Sequence, residues 1–192
     1  MDQLTFAGTT VNVVRSKRRS MGLEIKPDGT VLLRLPKRVS DREAMDFLRS
    51  RETWLRRHLE TVRQREAELE HIAPLTEEER TALTKAAKTH LSERCAYFAP
   101  LVGVDYGRVT IRAQKTRWGS CSAKGNLNFN CLLMLAPPEV QDYVVVHELC
   151  HRKQMNHSPA FWAEVARVLP GYKIQERWLK ENGPALQRRI GN

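Results

Sequence analysis

Apolar and polar residues alternate through residues 10 to 35, in TVNVVRS and again in LEIKPDGTVLLRL. A period of two is typical of β-strands that bury one face. Pro27, Asp28 and Gly29 supply turn chemistry between the last two apolar runs. This part of the chain therefore predicts a β-hairpin plus a further strand.

The period then becomes helical. Apolar residues stand at positions 44, 45, 47, 48, 54, 55, 59 and 62, and Ser40 or Asp41 can act as the N-cap. One long helix or two shorter ones are expected. Pro74 breaks this pattern and marks a predicted domain boundary. A β-rich N-terminal domain with its following helix would span residues 1–73, and a second domain residues 74–192.

The second domain is predicted to mix helices and strands. Thr76 and Glu79 form a capping-box sequence for a helix that is expected to end near Phe98. Strands are predicted at RVTIRAQ and on both sides of an AKGN turn. Pro137 and Pro138 suit the first turn of a further helix. The predicted fold class is α+β.

Composition is ordinary for a globular protein, because the 192 residues are 41% hydrophobic and 28% charged. No apolar run has the length of a signal peptide or reaches the roughly 20 residues of a membrane span, so a cytoplasmic location without a membrane partner is expected. The cysteines show neither CxxC pairing nor the density of a disulfide-stapled domain, and they are expected to be reduced. They are Cys95, Cys121, Cys131 and Cys150.

The net charge is +10, with basic residues concentrated in RSKRR, PKR and WLRRHLETVRQR. Such an excess attracts nucleic acid, phosphates or acidic surfaces. The alternative is a solvated basic face that serves solubility, which the lack of a nucleic-acid-binding motif favours. The charge is therefore compatible with a nucleic-acid partner, but no motif supports one. The sequence gives no indication of the oligomeric state.

Candidate chemistry is concentrated in VVVHELCHRKQMNHSPAFW, residues 144–162. His147 and His151 are four residues apart, so a helix projects both from one face, as two imidazole ligands of one ion require. Glu148 can reach a metal-bound water as a general base without being a ligand, which is how HExxH motifs work. The same five-residue pattern also arises by chance, where the histidines are simply partly buried polar residues.

A third histidine adds a geometric requirement. On a continuing helix His157 would be rotated from His151 by about 240° and displaced by about 9 Å. It reaches the same ion only if the helix ends between them, and Asn156 is a residue type that adopts the left-handed conformation found at helix ends. Ser158 and Pro159 then supply an N-cap and a first residue for the next helix. The sequence therefore predicts three histidine ligands.

Three neutral imidazoles leave a fourth position for water or substrate, which is typical of catalytic zinc. One Zn²⁺ ion is expected, with another divalent transition metal as the alternative. Glu164 is the rival third ligand, because many HExxH enzymes take a glutamate from the next helix. Cys150 points away from the histidine face and is interpreted as a core residue, and Phe161 and Trp162 as core beneath the site.

Two segments carry a resemblance to a known family. RWGSCSAKGNLNFN (117–130) and YVVVHELCHRKQMNHSPAFW (143–162), with a weaker match in VVRSKRRSMGLEIKPDGTVLLRLP, resemble the YgjP-like metal-dependent hydrolases, relatives of SprT-like and gluzincin-type metallopeptidases. The resemblance covers most of the chain. It implies a small β-rich N-terminal part, a minimal zincin-like domain with metal on the three histidines, Glu148 as general base, and RWGSC on the sheet near the site. No glycine separates His151 from His157, so the metzincin type of turn is absent.

Substrate contacts are predicted at Arg117, Trp118 and Asn130. Arg117 and Trp118 belong to the RWGSC segment, although a tryptophan on a strand is more often a core residue. Asn128 and Asn130 alternate on one strand face and are expected to hydrogen-bond the site helix. Asn126 is interpreted as a turn residue.

The leading hypothesis is a zinc-dependent hydrolase of the metallopeptidase-like class, with Glu148 as general base for metal-activated water. Peptide bonds are the substrate that the resemblance favours. A metal-dependent nucleoside triphosphate pyrophosphatase is the second hypothesis, because a net charge of +10 suits an anionic substrate. The third is a nucleic-acid-associated module in which the metal is structural.

Overall fold

The computed structural model describes residues 2–26 and 28–191. The chain divides into two compact units, Met1–His71 and Ile72–Asn192. Both units mix helices and strands, which confirms the α+β fold class. The predicted domains, with their boundary after residue 73, stay a prediction, because compactness alone does not show that either unit folds by itself.

The first unit opens with a four-stranded sheet. Its strands are β1 (Asp2–Phe6), β2 (Thr9–Ser16), β3 (Gly22–Ile25) and β4 (Val31–Pro36), in the order β1-β2-β4-β3. β2 and β4 pair in parallel and the other pairs are antiparallel. Strand β1 was not predicted, because it offers only two apolar residues; it joins β2 through Ala7 and Gly8, both with positive φ.

The predicted hairpin is formed by β3 and β4. Asp28 accepts a hydrogen bond from the Thr30 N–H at 2.9 Å, and Gly29 has a φ of 79°, which only glycine adopts without strain. Pro27, the first residue of the predicted turn, lies outside the described residues.

Two helices follow, α1 (Asp41–Ser50) and α2 (Glu52–Leu69). Ser40 is the N-cap: its Oγ accepts from the Glu43 N–H at 3.3 Å, and the Glu43 carboxylate accepts from the Ser40 N–H at 2.8 Å. This reciprocal box satisfies two otherwise unpaired donors of the first turn. The helices are separate because Arg51, with a φ of −114°, departs from helical geometry.

The second unit contains four long or medium helices around a three-stranded sheet. Its elements are α3 (Glu77–Val102), β5 (Val109–Arg112), β6 (Gly119–Cys121), β7 (Leu127–Asn130), a 3-10 helix (Cys131–Leu135), α4 (Pro138–Cys150), α5 (Pro159–Val168) and α6 (Tyr172–Arg188). The strand order is β5-β7-β6, with β5 parallel and β6 antiparallel to β7. Helix α4 lies in the core and packs against α3, α5, α6 and β6.

Helix α3 is longer than expected. The Thr76–Glu79 capping box is present, as predicted, but the helix continues past Phe98 and through Pro100 to Val102. A proline near the C-terminal end removes one backbone donor without breaking the turns already formed. Gly103, with a φ of 80°, ends the helix by donating its N–H to Ala99 O at 2.8 Å.

Helix α4 carries the HExxH sequence through the core. Val144, Val145 and Val146 are buried, and so is Cys150, which confirms its interpretation as a core residue. Burial raises the pKa of the Cys150 thiol to about 11, so the side chain is a neutral thiol at physiological pH. All four cysteines are free. No helix within the described residues is both long and apolar enough to cross a membrane.

Candidate metal centre and active site

Helix α4 ends at Cys150, directly before the interval between His151 and His157 in which the sequence predicted its end. The Gln154 N–H donates to Cys150 O at 3.0 Å, which closes a tight turn directly after the helix. The prediction of a left-handed Asn156 is wrong, because Ala7 is the one non-glycine residue of the described chain with positive φ. Asn156 Oδ1 instead accepts from the Ser158 N–H at 3.3 Å. The turn at Cys150–Gln154 thus ends the helix, and the Asx turn at Asn156 then leads the chain into the next helix.

The start of α5 agrees with its prediction. Ser158 Oγ accepts from the Phe161 N–H at 3.4 Å, and Pro159 is the first helical residue. A proline is tolerated there because the first turn of a helix has no intrahelical partner for its N–H. His157 thus lies in the short connection between α4 and α5, directly before the N-cap.

His147, His151 and His157 come together at this connection. Their candidate ligand atoms all lie within 4.8 Å of one another, and no other such cluster of histidine, cysteine or acidic residues exists in the described part of the chain. The Nε2 atoms of His147 and His157 are 3.1 Å apart. Tetrahedral zinc, with Zn–N bonds of about 2.0 to 2.1 Å, holds two ligand nitrogens roughly 3.3 Å apart. All three residues therefore have the donor chemistry of a zinc site, and the His147–His157 pair also has its spacing.

The protonation of these histidines suits metal binding. His151 Nδ1 lies 3.0 Å from the Gln154 carbonyl oxygen. Because a carbonyl only accepts, Nδ1 carries the proton and Nε2 keeps its lone pair. Burial lowers the pKa of His151, and burial together with the two neighbouring imidazoles lowers the pKa of His147 to about 3. Both rings are thus neutral near pH 7, which is the form that binds a metal.

Phe161 forms a common floor beneath the three imidazoles. Its ring centroid lies 4.9 Å from that of His147, 4.6 Å from that of His151 and 4.9 Å from that of His157. The Phe161 side chain is fully buried, while Trp162 beside it is half-buried. The ring centroid of Trp162 lies 5.8 Å from the centroids of both His147 and His157. Both aromatic residues therefore lie under the site, as expected, and the packing restricts the ring orientations.

Glu148 faces the sheet from the same turn of α4. Only 5% of its surface is exposed, and its Oε2 has no hydrogen-bond partner among the described residues. Burial raises the pKa of Glu148 to about 8, and the positive charge of Arg117 opposes this shift. A buried carboxyl group that lacks a partner is costly for folding and is a common feature of functional sites.

Gly119 on strand β6 provides the space for Glu148. A Cβ atom at position 119 would lie 2.5 Å from Glu148 Oε1 and 2.7 Å from its Cγ, closer than real Cβ contacts allow. The RWGSC segment thus lies directly against the general-base candidate. HExxH spacing gives no sign of this contact, and the resemblance implied only that RWGSC is near the site.

A cleft of about 260 Å³ adjoins His147 and Glu148. Arg117 and Trp118 line one part of it, and Tyr143 another. Arg117 is exposed, whereas Trp118 is half-buried and packs against Gly183 of α6, where a Cβ would lie 3.1 Å from its Cζ2. Both candidates for substrate contact therefore stand beside the metal-ligand cluster.

Asn130 has a different role from the predicted one. It is 1% exposed; Nδ2 donates to Gln114 O at 2.6 Å and to Arg117 O at 2.9 Å, and Oδ1 accepts from the Leu132 N–H at 3.1 Å. Both Nδ2 hydrogens are used and the side chain is buried away from the cleft, and none of these bonds reaches α4. Asn130 instead ties down the loop that carries Arg117. Asn128 likewise donates to Ser120 Oγ at 3.2 Å and does not bond the site helix.

Glu164, the rival ligand, is engaged elsewhere. Its Oε2 accepts from Lys153 Nζ at 3.0 Å and from Arg167 Nη2 at 3.0 Å. These hydrogen bonds lower the pKa of Glu164, so it is ionised and paired. Glu164 does not belong to the cluster of candidate ligands.

An HExxH helix, a third histidine after it and a buried glutamate define the class of metal-dependent metallopeptidase-like proteins. The chain belongs to the YgjP-like family: the family model described as "YgjP-like, metallopeptidase domain" matches residues 19–82 and 70–182. This membership confirms the family resemblance of the sequence.

Two solved structures are similar to part of the chain. The metallopeptidase zymogen of Pyrococcus abyssi abylysin is 26% identical, with a TM-score of 0.43 over 47% of this chain and 93% of that one. The metallopeptidase zymogen of Methanocaldococcus jannaschii jannalysin is 20% identical, with a TM-score of 0.41 over 48% of this chain and 94% of that one. None of the curated proteins matches the chain.

The His157→Ala variant tests the third ligand. We expect it to lose tight zinc retention, because two imidazoles alone hold zinc far more weakly than three. Elemental analysis after extensive dialysis measures the bound zinc. The matched control is His71→Ala, which removes an exposed histidine outside the cluster and should retain one zinc per chain. A variant without His157 that keeps stoichiometric zinc contradicts the assignment.

Proposed function

We propose that the protein is a zinc-dependent peptidase in which Glu148 is the general base. The observation that carries this proposal is the buried carboxyl group of Glu148, whose Oε2 has no hydrogen-bond partner in the described part of the chain, beside three converging imidazoles. Membership of the YgjP-like metallopeptidase family supports a metal-dependent hydrolase. The peptide substrate, the zinc ion and the role of each residue belong to the proposal.

His147, His151 and His157 would hold the ion. When bound, zinc supplies Lewis-acid chemistry, because it lowers the pKa of a coordinated water and polarises a carbonyl group. The Gln154 carbonyl fixes the tautomer of His151, and Phe161 restricts the orientation of all three rings. These neighbours keep the ligands in place before an ion binds, which reduces the ordering needed on binding.

Glu148 would accept the proton of the attacking water. Its buried setting raises the pKa of the carboxyl group to about 8, which makes it a stronger base than an exposed glutamate. Arg117 counters that increase and favours the ionised form that can accept a proton. Gly119 leaves the carboxyl group free to stay against the sheet. Glu148 would later pass the proton to the leaving amine.

The cleft favours a peptide over a nucleotide. A volume of about 260 Å³ suits one amino-acid side chain better than a nucleoside triphosphate, since sites for larger ligands occupy roughly 300 to 1,000 Å³. Arg117 is the sole lysine or arginine that lines it among the described residues, whereas a triphosphate requires several cations. Arg117 and Trp118 would contact the substrate. We place the activity in the cytoplasm, where the four free thiols stay reduced.

The reaction class is tested with the zinc-loaded protein. An unfolded protein substrate and a panel of nucleoside triphosphates are incubated with the chain and with its Glu148→Gln variant. We expect peptide cleavage that falls by about 100-fold or more in the variant, because removal of a general base costs about that much. Glu139→Gln, an exposed glutamate on the same helix, is the matched control and should retain activity. Activity that survives Glu148→Gln, or triphosphate hydrolysis without proteolysis, contradicts the proposal.

Gly119→Ala tests the space beside the general base. The new Cβ would displace the Glu148 carboxyl group, and a shift of about 1 Å at a reacting group costs roughly 100-fold in rate. We expect a fall in kcat of that size with zinc content unchanged, because the three histidines are not touched. Gly171→Ala is the matched control, since a Cβ there has nothing within 4 Å. Full kcat in the Gly119→Ala variant would show that the position of Glu148 is not critical.

Arg117→Ala tests the electrostatic link to Glu148. Removal of the positive charge favours the protonated carboxyl group, so the pKa of Glu148 rises. Since only the ionised form accepts a proton, we expect the acidic limb of the kcat/KM profile to move to higher pH. Lys115→Ala, an exposed cation in the same loop, is the control. A profile that is identical in wild type and Arg117→Ala contradicts the link.

A further inference from the structure

Strand β5 is an edge strand of its sheet within the described chain, and its outer edge carries unused backbone groups. The Leu127 N–H of β7 donates to Arg108 O at 3.0 Å, and Val109 is the register partner of Leu127. In a parallel ladder this arrangement turns the backbone groups of Thr110 and Arg112 toward β7. The N–H and C=O of Val109 and Ile111 therefore point away from the sheet.

A groove of about 550 Å³ lies along this outer edge, between β5 and α3. We call it the α3–β5 groove. It is lined, among other residues, by Arg80, Thr84, Lys85, Lys88, Ile111 and Arg112. Lys88 Nζ already donates to Val109 O, which leaves Ile111 with both an outward N–H and an outward C=O. An unpaired strand edge of this kind is a template for a further strand.

Positive charge dominates the groove. Four cations line it, Arg80, Lys85, Lys88 and Arg112, against one carboxylate, Glu77, which forms an ion pair with Arg80. Lys85 and Arg112 are exposed and have no carboxylate partner among the described ion pairs. Like charges on both walls attract an anionic ligand and repel a basic one.

We propose that the α3–β5 groove binds an acidic peptide segment in extended conformation. The segment would add a strand to β5 through the backbone groups of Ile111, and its carboxylate side chains would lie against Lys85 and Arg112. A peptide fits better than a nucleic acid, because the open edge offers a donor and an acceptor for a backbone. Among the described residues, no aromatic side chain lines the groove to stack on bases.

The groove is distinct from the cleft beside the metal ligands. Gly119, which contacts Glu148, belongs to β6, and β7 lies between β6 and β5. Two strand spacings amount to roughly 10 Å. A segment paired with the outer edge of β5 would lie one spacing further, roughly 14 Å from β6, and so outside the cleft. The inference does not depend on the reaction proposed above.

Fluorescence anisotropy with the full chain tests this inference. The chain carries Glu148→Gln so that no probe is cleaved, and the probe is a fluorescein-labelled octapeptide of alternating glutamate and threonine. At about 0.15 M salt, where long-range attraction is screened, we expect Kd to be about ten-fold lower than for the glutamine–threonine peptide. Lys85→Glu should weaken binding about five-fold or more, because it reverses one wall charge. Lys124→Glu, an exposed cation in the turn between β6 and β7, should change Kd by less than about two-fold.

Backbone pairing is tested without a change to the protein. Two isomers of the acidic octapeptide carry N-methyl groups on either the glutamate or the threonine amides, which blocks one edge of the strand at a time. We expect one isomer to lose about ten-fold in affinity and the other to bind as the parent does. Equal binding of both isomers overturns strand addition. Equal effects of Lys85→Glu and Lys124→Glu, or stronger binding of a single-stranded oligonucleotide than of the peptide, overturn the acidic-peptide site.

Discussion

The contact between Glu148 and the backbone of Gly119 is the constraint on which the arrangement of the site depends. A helix that carries a carboxyl group can lie this close to a strand only where the strand has no side chain. The contact fixes the distance between α4 and β6, and with it the position of the histidine face relative to the sheet. Within the residues that the structure describes, Glu148 Oε2 is also buried without a hydrogen-bond partner, which lowers the stability of the fold. The fold thus tolerates a loss of stability to hold a carboxyl group whose position and proton affinity are both set by its surroundings.

Local turns and a helix cap between α4 and α5 determine the position of His157. Helix α4 ends early, a tight turn and an Asx turn bring the chain back, and Ser158 starts α5 one residue after His157. Phe161, one turn into α5, then supports all three imidazoles. A ligand, a helix cap and the floor of the site therefore fall within five residues. This short spacing explains how a unit with few elements brings three histidines together over one aromatic ring.

Features set by local sequence could be predicted, and features set by contacts between distant segments could not. The N-cap at Ser40, the capping box at Thr76, the N-cap at Ser158 and the shared helix face of His147 and His151 depend on spacings of three or four residues, which a helix fixes by itself. The end of α3 beyond Pro100 was missed, because a proline in the last turn does not interrupt earlier hydrogen bonds. The prediction of a left-handed Asn156 was wrong, because the path of the chain from α4 to α5 depends on where α4 ends in the core. The structural role of Asn130 could not be predicted from the sequence, because its hydrogen bonds join segments 13 to 16 residues apart.

The loop that carries Arg117 depends on a single amide nitrogen, Nδ2 of Asn130. This nitrogen donates to two carbonyl oxygens of the loop. Deamidation replaces that donor by a carboxylate oxygen of almost the same size, which then faces the same two carbonyls with a negative charge. Attraction becomes repulsion at a buried position, and the loop loses its anchor. A change of one nitrogen to oxygen, without any loss of volume, would thus release the loop that holds the Arg117 guanidinium near Glu148. The three histidines would stay in place.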